Sequence, residues 1–243
     1  LLCSAIISFI AIQLRSVQEN NVVLDMQKKI VSSAGLDEVY GSVENAMSNI
    51  KTLIIDLDRG EIVDINPDTY ELSKELREDG KYKFLSAEED VASIKKREKY
   101  SKIYIEYKDD EINTLILPVR GYGLWGILYG YLAIEGDFNT VAGLEFYEHK
   151  ETPGLGAEID NPKWKALWKG KKIYQENGEV SLKVIKGSVM KTSDNFSYEI
   201  DGLSGATLTC NGVSNLIAYW MGNDGFLNFI NNLQHSVKKT DCM

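Results

Sequence analysis

The run Asp201–Thr209 constrains this chain more than any other stretch of its sequence. The preceding residues, Phe196–Ile200, alternate between apolar and polar side chains and predict a strand, whereas Gly212–Met221 predicts an amphipathic helix. A loop of small residues between a strand and a helix leaves backbone N–H groups free at the positive helix end, which favours a phosphate. Asp, Ser and Thr before an apolar run also form ordinary helix N-caps. The pattern alone leaves both interpretations open.

Part of this run resembles a known attachment motif. Ser204-Gly205-Ala206-Thr207 is similar to the S/T-G-A-T flavinylation motif, in which flavin mononucleotide (FMN) is joined through its phosphate to the last threonine. The resemblance implies a covalent FMN on Thr207. Thr209 offers a second hydroxyl in the same run, and physical reasoning on the sequence does not choose between the two. The backbone N–H groups of Gly205, Ala206 and Thr207 are the predicted hydrogen-bond donors to the phosphate.

Composition narrows the class of protein. The chain has 243 residues, of which 44% are hydrophobic and 26% charged, as in globular proteins that bury a core. Its formal net charge of −9 argues against nucleic acid as a partner, because phosphate backbones are bound by basic surfaces. We therefore expect a globular protein that binds no nucleic acid.

The N-terminal segment Leu1–Leu14 is almost entirely apolar. A helix needs about 20 such residues to span a bilayer, so we expect this segment to be the end of a transmembrane helix that starts upstream. A signal-peptide apolar region or a buried helix is the alternative. We predict a division into residues 1–16 as the anchor, residues 17–50 as a helical connector and residues 51–243 as one ligand-binding domain.

The remaining residues predict a single α+β domain with a mixed or antiparallel sheet flanked by helices. Asp58-Arg59-Gly60 and Asn177-Gly178 are predicted hairpin turns. The predicted strands are Thr52–Leu57, Glu61–Ile65, Lys102–Tyr107, Ile112–Val119, Leu124–Ile134, Val141–Tyr147, Ile173–Gln175 and Val180–Ile185. The predicted helices are Gln18–Ser33, Asp37–Ile50, Ala87–Lys99, Asn161–Trp168 and Asp224–Ser236.

Two glycine-rich segments lie upstream of the phosphate-type loop. Gly121–Gly126 matches G-x-G-x-x-G, but a strand-like run follows it where a dinucleotide site requires a helix, so we reject a Rossmann interpretation. A glycine-rich aromatic turn beside a sheet fits better and could wall a flat ring system. Glu151–Gly156 is either a plain turn or a loop whose glycines let the backbone approach a ligand closely.

Other chemistry is not indicated by the sequence. Cys3, Cys210 and Cys242 have no metal-ligand spacing, and His149 and His235 share no motif, so we predict no metal site. Cys210 and Cys242 either form a disulfide or stay as free thiols. We find no nucleophile elbow of a hydrolase, and we predict no catalytic residue in this chain alone.

Three segments together resemble one family. Gly121–Gly126, Glu151–Trp164 and Asp201–Gly212, behind an apolar N-terminus, are similar to the NqrC family, whose members belong to the Na⁺-translocating NADH:quinone oxidoreductase, an oxidoreductase and translocase. The flavinylation motif alone is shared with other FMN-binding domains. The two upstream segments favour NqrC over its relative RnfG, from the Rnf electron-transport complex, which remains an alternative. A membrane-anchored module that binds a phosphorylated ligand non-covalently is a second alternative.

The resemblance implies a role and a set of partners. FMN would be attached to Thr207 by a flavin transferase on the periplasmic side of the bacterial inner membrane, which a single helix would span. Electrons would pass between an iron centre held by NqrD and NqrE and another covalent FMN in NqrB, within a complex that also contains NqrA and NqrF. The implied flavin contacts besides Thr207 are Ser204, Gly205, Ala206, Thr209, Thr152, Gly154, Leu155, Tyr122, Leu124 and Trp125.

Overall fold

The structure is a computed structural model that describes residues 2–240. Its helices are α1 (Leu2–Ser33), α2 (Leu36–Tyr40), α3 (Val43–Ser48), α4 (Leu72–Glu75), α5 (Pro162–Lys165), α6 (Thr207–Trp220) and α7 (Leu227–Thr240). Its strands are β1 (Ile50–Asp56), β2 (Glu61–Val63), β3 (Tyr82–Phe84), β4 (Lys96–Glu98), β5 (Tyr100–Lys108), β6 (Glu111–Tyr122), β7 (Ile127–Glu135), β8 (Val141–Glu148), β9 (Lys183–Val184) and β10 (Glu199–Ile200). Short 3₁₀ helices cover Pro67–Thr69, Gly156–Asp160 and Phe196–Tyr198.

The main sheet has six antiparallel strands in the order β2-β1-β5-β6-β7-β8. The predicted β1–β2 hairpin is confirmed, and the Asp56 carboxylate accepts the N–H groups of Asp58 and Arg59 in its turn. β6 pairs with β7 up to Tyr122 and Ile127, so the turn between these strands stands at one end of the sheet. The main sheet is therefore antiparallel, and a short parallel pairing outside it joins β9 to β10.

Apolar side chains cover both faces of the sheet. One face packs against α6 and α7 in the larger core, which includes Leu117, Leu216, Trp220 and Phe229. The other face packs against the end of α1 in a second cluster that includes Tyr131. Alternation along the strands sends successive side chains to opposite faces, which explains why one sheet supports two cores.

Two predicted elements near the site differ in the structure. The strand predicted over Phe196–Ile200 is wrong for its first part, because Phe196–Tyr198 forms a 3₁₀ turn and only Glu199–Ile200 is a strand. The helix predicted over Ala87–Lys99 is wrong. The Asp90 carboxylate accepts the N–H groups of Ile94 and Lys95, which holds this segment in a loop ahead of β4.

Helix boundaries also differ from the prediction. The helix predicted over Asp37–Ile50 is split into α2 and α3, because Gly41 adopts a left-handed conformation with φ of 74° and Ser42 caps α3. α6 begins at Thr207 rather than Gly212, so the motif threonine lies inside the first helical turn. The Asn177-Gly178 turn is present, although only an isolated bridge between Tyr174 and Val180 flanks it.

The N-terminal prediction is not settled by the fold. α1 runs without a break from Leu2 to Ser33. Within residues 2–240, no helix combines the length and apolar character needed to cross a bilayer. The division at residues 16 and 50 stays a prediction. Cys3 and Cys210 are free thiols, and Cys242 lies outside the described residues.

Candidate functional site

Thr207 is the first residue of α6, and its side chain is exposed. The N–H groups of Thr207, Leu208 and Thr209 belong to the first helical turn, where no partner is available within the helix. The Ala206 N–H donates to the Leu203 carbonyl at 3.2 Å, so it is engaged within the loop rather than free for a phosphate as predicted. The first-turn N–H groups and the Thr207 hydroxyl therefore form an open, anion-favouring surface.

Thr209 is in the opposite situation. Its side chain is fully buried, and its hydroxyl donates to the Oε2 atom of Glu151. A hydroxyl that is buried and already bonded to a carboxylate is not available to a ligand or to a modifying enzyme. The structure thus separates two threonines that the sequence pattern leaves equivalent.

Glu151 joins this helix to the glycine-rich turn between β6 and β7. The residue is 5% exposed, and its Oε1 atom accepts the backbone N–H groups of Leu124 and Trp125 at 3.0 Å each. The turn itself closes through a 2.8 Å bond from the Gly123 N–H to the Gly126 carbonyl. One buried carboxylate therefore links two segments that are far apart in the sequence.

The loop after Glu151 is held from both sides. Trp125 donates its indole N–H to the Thr152 hydroxyl at 3.1 Å, while the Thr152 carbonyl accepts the Leu155 N–H at 3.1 Å. The Leu155 side chain lies against Gly205, since a Cβ at position 205 would stand 3.0 Å from the Leu155 Cδ2 atom. Gly154 has φ of 75° and faces open space. The loop therefore lies between the aromatic turn and the motif.

Several apolar side chains around this junction are exposed. Trp125 is 61% exposed and Leu208 57%, and the side chains of Tyr122, Leu124 and Leu155 are also partly exposed. Exposed apolar side chains grouped in this way typically mark a site for a ligand or a partner. The structure brings the three predicted segments together around α6 and Glu151.

A cavity of about 410 Å³ lies beside Thr207. β9 pairs in parallel with β10, and the Gly202 N–H donates to the Gly187 carbonyl at 2.8 Å, which places a second loop next to the motif. The cavity is lined by Val184, Ile185, Lys186, Gly187, Ser188, Gly202, Leu203, Ser204, Gly205, Thr207, Cys210 and Asn211. Residues 184–188 were not predicted as part of the site, because nothing in their pattern indicates that they pair next to the motif.

Cys210 and His149, two titratable groups of this region, are bonded within the protein. Burial raises the pKa of the Cys210 thiol, and its sulfur accepts the Leu203 N–H at 3.3 Å. His149 accepts the Glu151 N–H at Nδ1 and lies 2.8 Å from Asp160 through Nε2. Among residues 2–240, no three His, Cys, Asp or Glu side chains are grouped so that they could hold a metal ion.

Comparison with known proteins decides the family. Residues 123–222 match the FMN-binding domain family, a span that runs from the aromatic turn through α6. The chain is 46% identical over 239 residues to the NqrC protein of the Na(+)-translocating NADH-quinone reductase of Pseudomonas aeruginosa, covering 96% of this chain and 92% of that protein. It is 41% identical over 231 residues to the corresponding protein of Vibrio vulnificus, covering 95% and 89%. The chain belongs to the NqrC family.

Solved structures of NqrC proteins have the same fold. The crystal structure of Shewanella oneidensis NqrC superimposes with a TM-score of 0.78 at 30% identity, covering 86% of this chain and 96% of that one. The crystal structure of the corresponding protein from Parabacteroides distasonis gives a TM-score of 0.64 at 28% identity, covering 89% and 96%. The relatives are subunits of an NADH-quinone reductase, and this chain is accordingly a component of an oxidoreductase complex.

The residues of this chain fit FMN. The free N–H groups at the start of the 14-residue helix α6 would hold a phosphate, and the Lys186 side chain lines the adjoining cavity. The exposed aromatic and aliphatic side chains of the Tyr122–Trp125 turn offer an apolar surface that suits a ring system.

Proposed function

We propose that this chain carries electrons within the Na⁺-translocating NADH:quinone reductase through an FMN bound by a phosphoester to Thr207. The observation that carries the proposal is the contrast between the two threonines. Thr207 presents an exposed hydroxyl at the positive end of α6, whereas the Thr209 hydroxyl is buried against Glu151. Attachment at Thr207 agrees with the motif and requires no unfolding of the helix.

The linkage follows from the chemistry of the two groups. The flavin donor is an activated flavin nucleotide that carries a leaving group on the phosphorus of its FMN part. The Thr207 Oγ1 atom bonds to that phosphorus while the P–O bond to the leaving group breaks, and the leaving group departs with the hydroxyl proton. The product therefore weighs as much as protein plus FMN less one water. The phosphoester keeps a negative charge, which the first-turn N–H groups stabilise by charge-assisted hydrogen bonds of about 1.5–3 kcal/mol each. The Lys186 side chain in the adjoining cavity adds a positive charge near the same group.

FMN supplies one- and two-electron redox chemistry when bound. The protein's contribution is to place it, and no acid–base residue is required. We propose that Tyr122, Leu124 and Trp125, together with the Thr152–Leu155 loop, border the flavin ring, since these side chains are exposed next to the motif. A flavin ring held on this exposed surface would be accessible to an electron partner.

The partners and topology belong to the same proposal. We propose that electrons pass between an iron centre held by NqrD and NqrE and the FMN of NqrB, with NqrA and NqrF completing the complex. A single N-terminal helix, of which Leu1–Leu14 is the apolar end, would anchor the chain in the inner membrane with its FMN domain in the periplasm. A flavin transferase in that compartment would attach the FMN.

The test is the mass and fluorescence of the denatured chain. Wild-type protein that is co-produced with its flavin transferase should keep flavin fluorescence in a denaturing gel and gain the mass of FMN less one water. Thr207→Val preserves the shape of the side chain but removes the hydroxyl, and it should abolish both signals.

Two matched variants control for folding. Thr207→Ser retains a hydroxyl at the same atom and should keep part of the covalent flavin. Thr209→Val removes the buried hydroxyl and should keep most of it. Flavin that is lost from wild-type protein on denaturation would instead support a module that binds its ligand non-covalently, and label retained by Thr207→Val would contradict the assignment.

A further inference from the structure

We infer that Glu151 is a positioning residue of the flavin site, whose carboxylate fixes the ring-bordering turn relative to the attachment point on α6. The inference rests on the proposed function, because it takes the site to be one that holds a flavin. It goes further in assigning the placement to one buried side chain, whose hydrogen bonds reach neither the Thr207 hydroxyl nor the first-turn N–H groups.

The bonding of the carboxylate supports this role. Oε1 receives two backbone N–H groups of the turn, and Oε2 receives the Thr209 hydroxyl of α6. Within residues 2–240, Glu151 forms no ion pair with a basic side chain, so neutral donors alone compensate for the burial of this group. Buried carboxylates require such donors, and these three bonds together compensate for the burial of Glu151.

Two glycines make room for the carboxylate. A Cβ at Gly123 would lie 2.7 Å from Glu151 Oε1, and a Cβ at Gly156 would lie 2.6 Å from Oε2. Neither glycine has a positive φ, so close approach and not backbone conformation explains them. Gly123 of the turn and Gly156 of the loop therefore share Glu151 as a close neighbour.

The consequence is a mechanical link between three segments. Thr209 lies two residues after Thr207 on α6, Trp125 belongs to the turn, and Glu151 directly precedes Thr152. Loss of the carboxylate removes the hydrogen bonds that join the tip of the turn to the helix and leaves the N–H groups of Leu124 and Trp125 without their acceptor. The tip of the turn that borders the ring is then held less firmly relative to the point of attachment.

Two substitutions separate shape from bonding. Glu151→Gln keeps an acceptor oxygen for the two N–H groups, and its amide can donate to the Thr209 hydroxyl, which then serves as an acceptor. Glu151→Ala removes every bond. Glu106→Ala is the matched control, because Glu106 is also buried and hydrogen-bonded to Tyr40 and Asn113 but lies in β5, outside the site.

The first readout is amide hydrogen exchange in the chain produced without flavin transferase. In Glu151→Ala the amide protons of Leu124 and Trp125 should exchange on the order of tenfold faster or more than in wild-type protein. Glu151→Gln should restore most of the protection, and Glu106→Ala should leave these two amides unchanged. Unchanged protection in Glu151→Ala would overturn the inference.

The second readout is the fluorescence anisotropy and visible spectrum of the flavin-loaded chain. Glu151→Ala should lower the anisotropy of the flavin and shift its spectrum, whereas Glu151→Gln and Glu106→Ala should keep the wild-type anisotropy. An equal change in Glu106→Ala would reduce Glu151 to a general stabilising role and contradict the inference. Thr209→Val, which removes one bond only, provides a milder variant should Glu151→Ala not fold.

The two proposals fail in different ways. Wild-type protein without covalent FMN refutes the proposed function, while the exchange of the Leu124 and Trp125 amides still decides whether Glu151 holds the turn. Wild-type protein with covalent FMN, combined with a Glu151→Ala chain of unaltered anisotropy and exchange, refutes the positioning role alone.

Discussion

The two faces of the main sheet are packed in different ways. α6 lies so close to one face that a Cβ at Gly212 would overlap the Tyr122 carbonyl oxygen and one at Gly121 would stand 2.8 Å from the Leu216 Cβ. On the other face, α1 leaves a cavity of about 410 Å³ against the sheet. The lining of that cavity includes Val23 and Met26 of α1 and five tyrosines, Tyr70, Tyr104, Tyr129, Tyr131 and Tyr147.

This contrast locates the rigid part of the fold. A site that must hold a cofactor at a fixed place is best built on closely packed elements, and the candidate site stands on the α6 face. The α1 face contains rings in edge-to-face or tilted contact, such as Tyr104 with Tyr131 at 5.8 Å between centroids. Displacement of α1 therefore has less effect on the site than displacement of α6.

Side-chain truncations on the two faces should differ most in their effect on stability. Leu216→Ala removes a fully buried side chain of α6 and should lower the free energy of unfolding by about 3 kcal/mol. Met26→Ala removes a half-buried side chain beside an existing cavity and should cost about 1 kcal/mol. Urea unfolding of both variants measures the difference, and equal losses would mean that the two faces are packed alike.

A smaller change in stability tests the close approach of α6. Gly212→Ala forces α6 away from the Tyr122 carbonyl and should lower the free energy of unfolding by about 2 kcal/mol despite the higher helix propensity of alanine. Asn215→Ala, at an exposed position on the same helix, should change it by less than about 0.5 kcal/mol. Thermal unfolding checks both, and a neutral Gly212→Ala would show that the two elements are not in contact.

The smallest expected change in stability at neutral pH concerns a tyrosine on the α1 face of the sheet. Burial raises the pKa of Tyr104 to about 12, above the value of about 10 for a free tyrosine. The pKa of Tyr104 is higher in the folded state than in the unfolded chain, so ionisation favours unfolding. The stability that the neutral Tyr104 side chain contributes is therefore complete below about pH 10 and is lost as the pH rises toward 12.

In Tyr104→Phe the free energy of unfolding should therefore fall less steeply between about pH 10 and 12 than in wild-type protein. At pH 7 the substitution should lower it by less than about 1 kcal/mol. Unfolding titrations across that range measure the slope. Leu216→Ala is the control, since it should keep the wild-type slope, and an unchanged slope in Tyr104→Phe would mean that this ring ionises freely in the folded state.

The fold was largely predictable because the strands of the main sheet carry local signals. Alternating or continuous apolar runs predict β1 and β5–β8 within a few residues, and the absence of a helix after Gly121–Gly126 rules out a Rossmann fold. The loop at Asp90 and the 3₁₀ turn at Phe196–Tyr198 were not predictable, because local backbone geometry and side-chain bonds to the backbone decide them.

The sequence predicted the candidate site only as far as its motif. The proposal of Thr207 comes from four consecutive residues, but its structural distinction from Thr209 depends on Glu151, which is 58 positions away in sequence. Residues 184–188 reach the motif through a short parallel pairing between β9 and β10 that no periodicity indicates. Long-range contacts therefore supply the part of the site that the sequence pattern leaves open.

The proposed function requires that one hydroxyl, that of Thr207, carries the flavin, and peptide fragmentation can locate the modified atom. Wild-type chain co-produced with its flavin transferase is digested, and the peptide that contains both Thr207 and Thr209 is sequenced by mass spectrometry. We predict that the mass of FMN less one water resides on Thr207. The same mass on Thr209, or its absence from this peptide, would contradict the proposal.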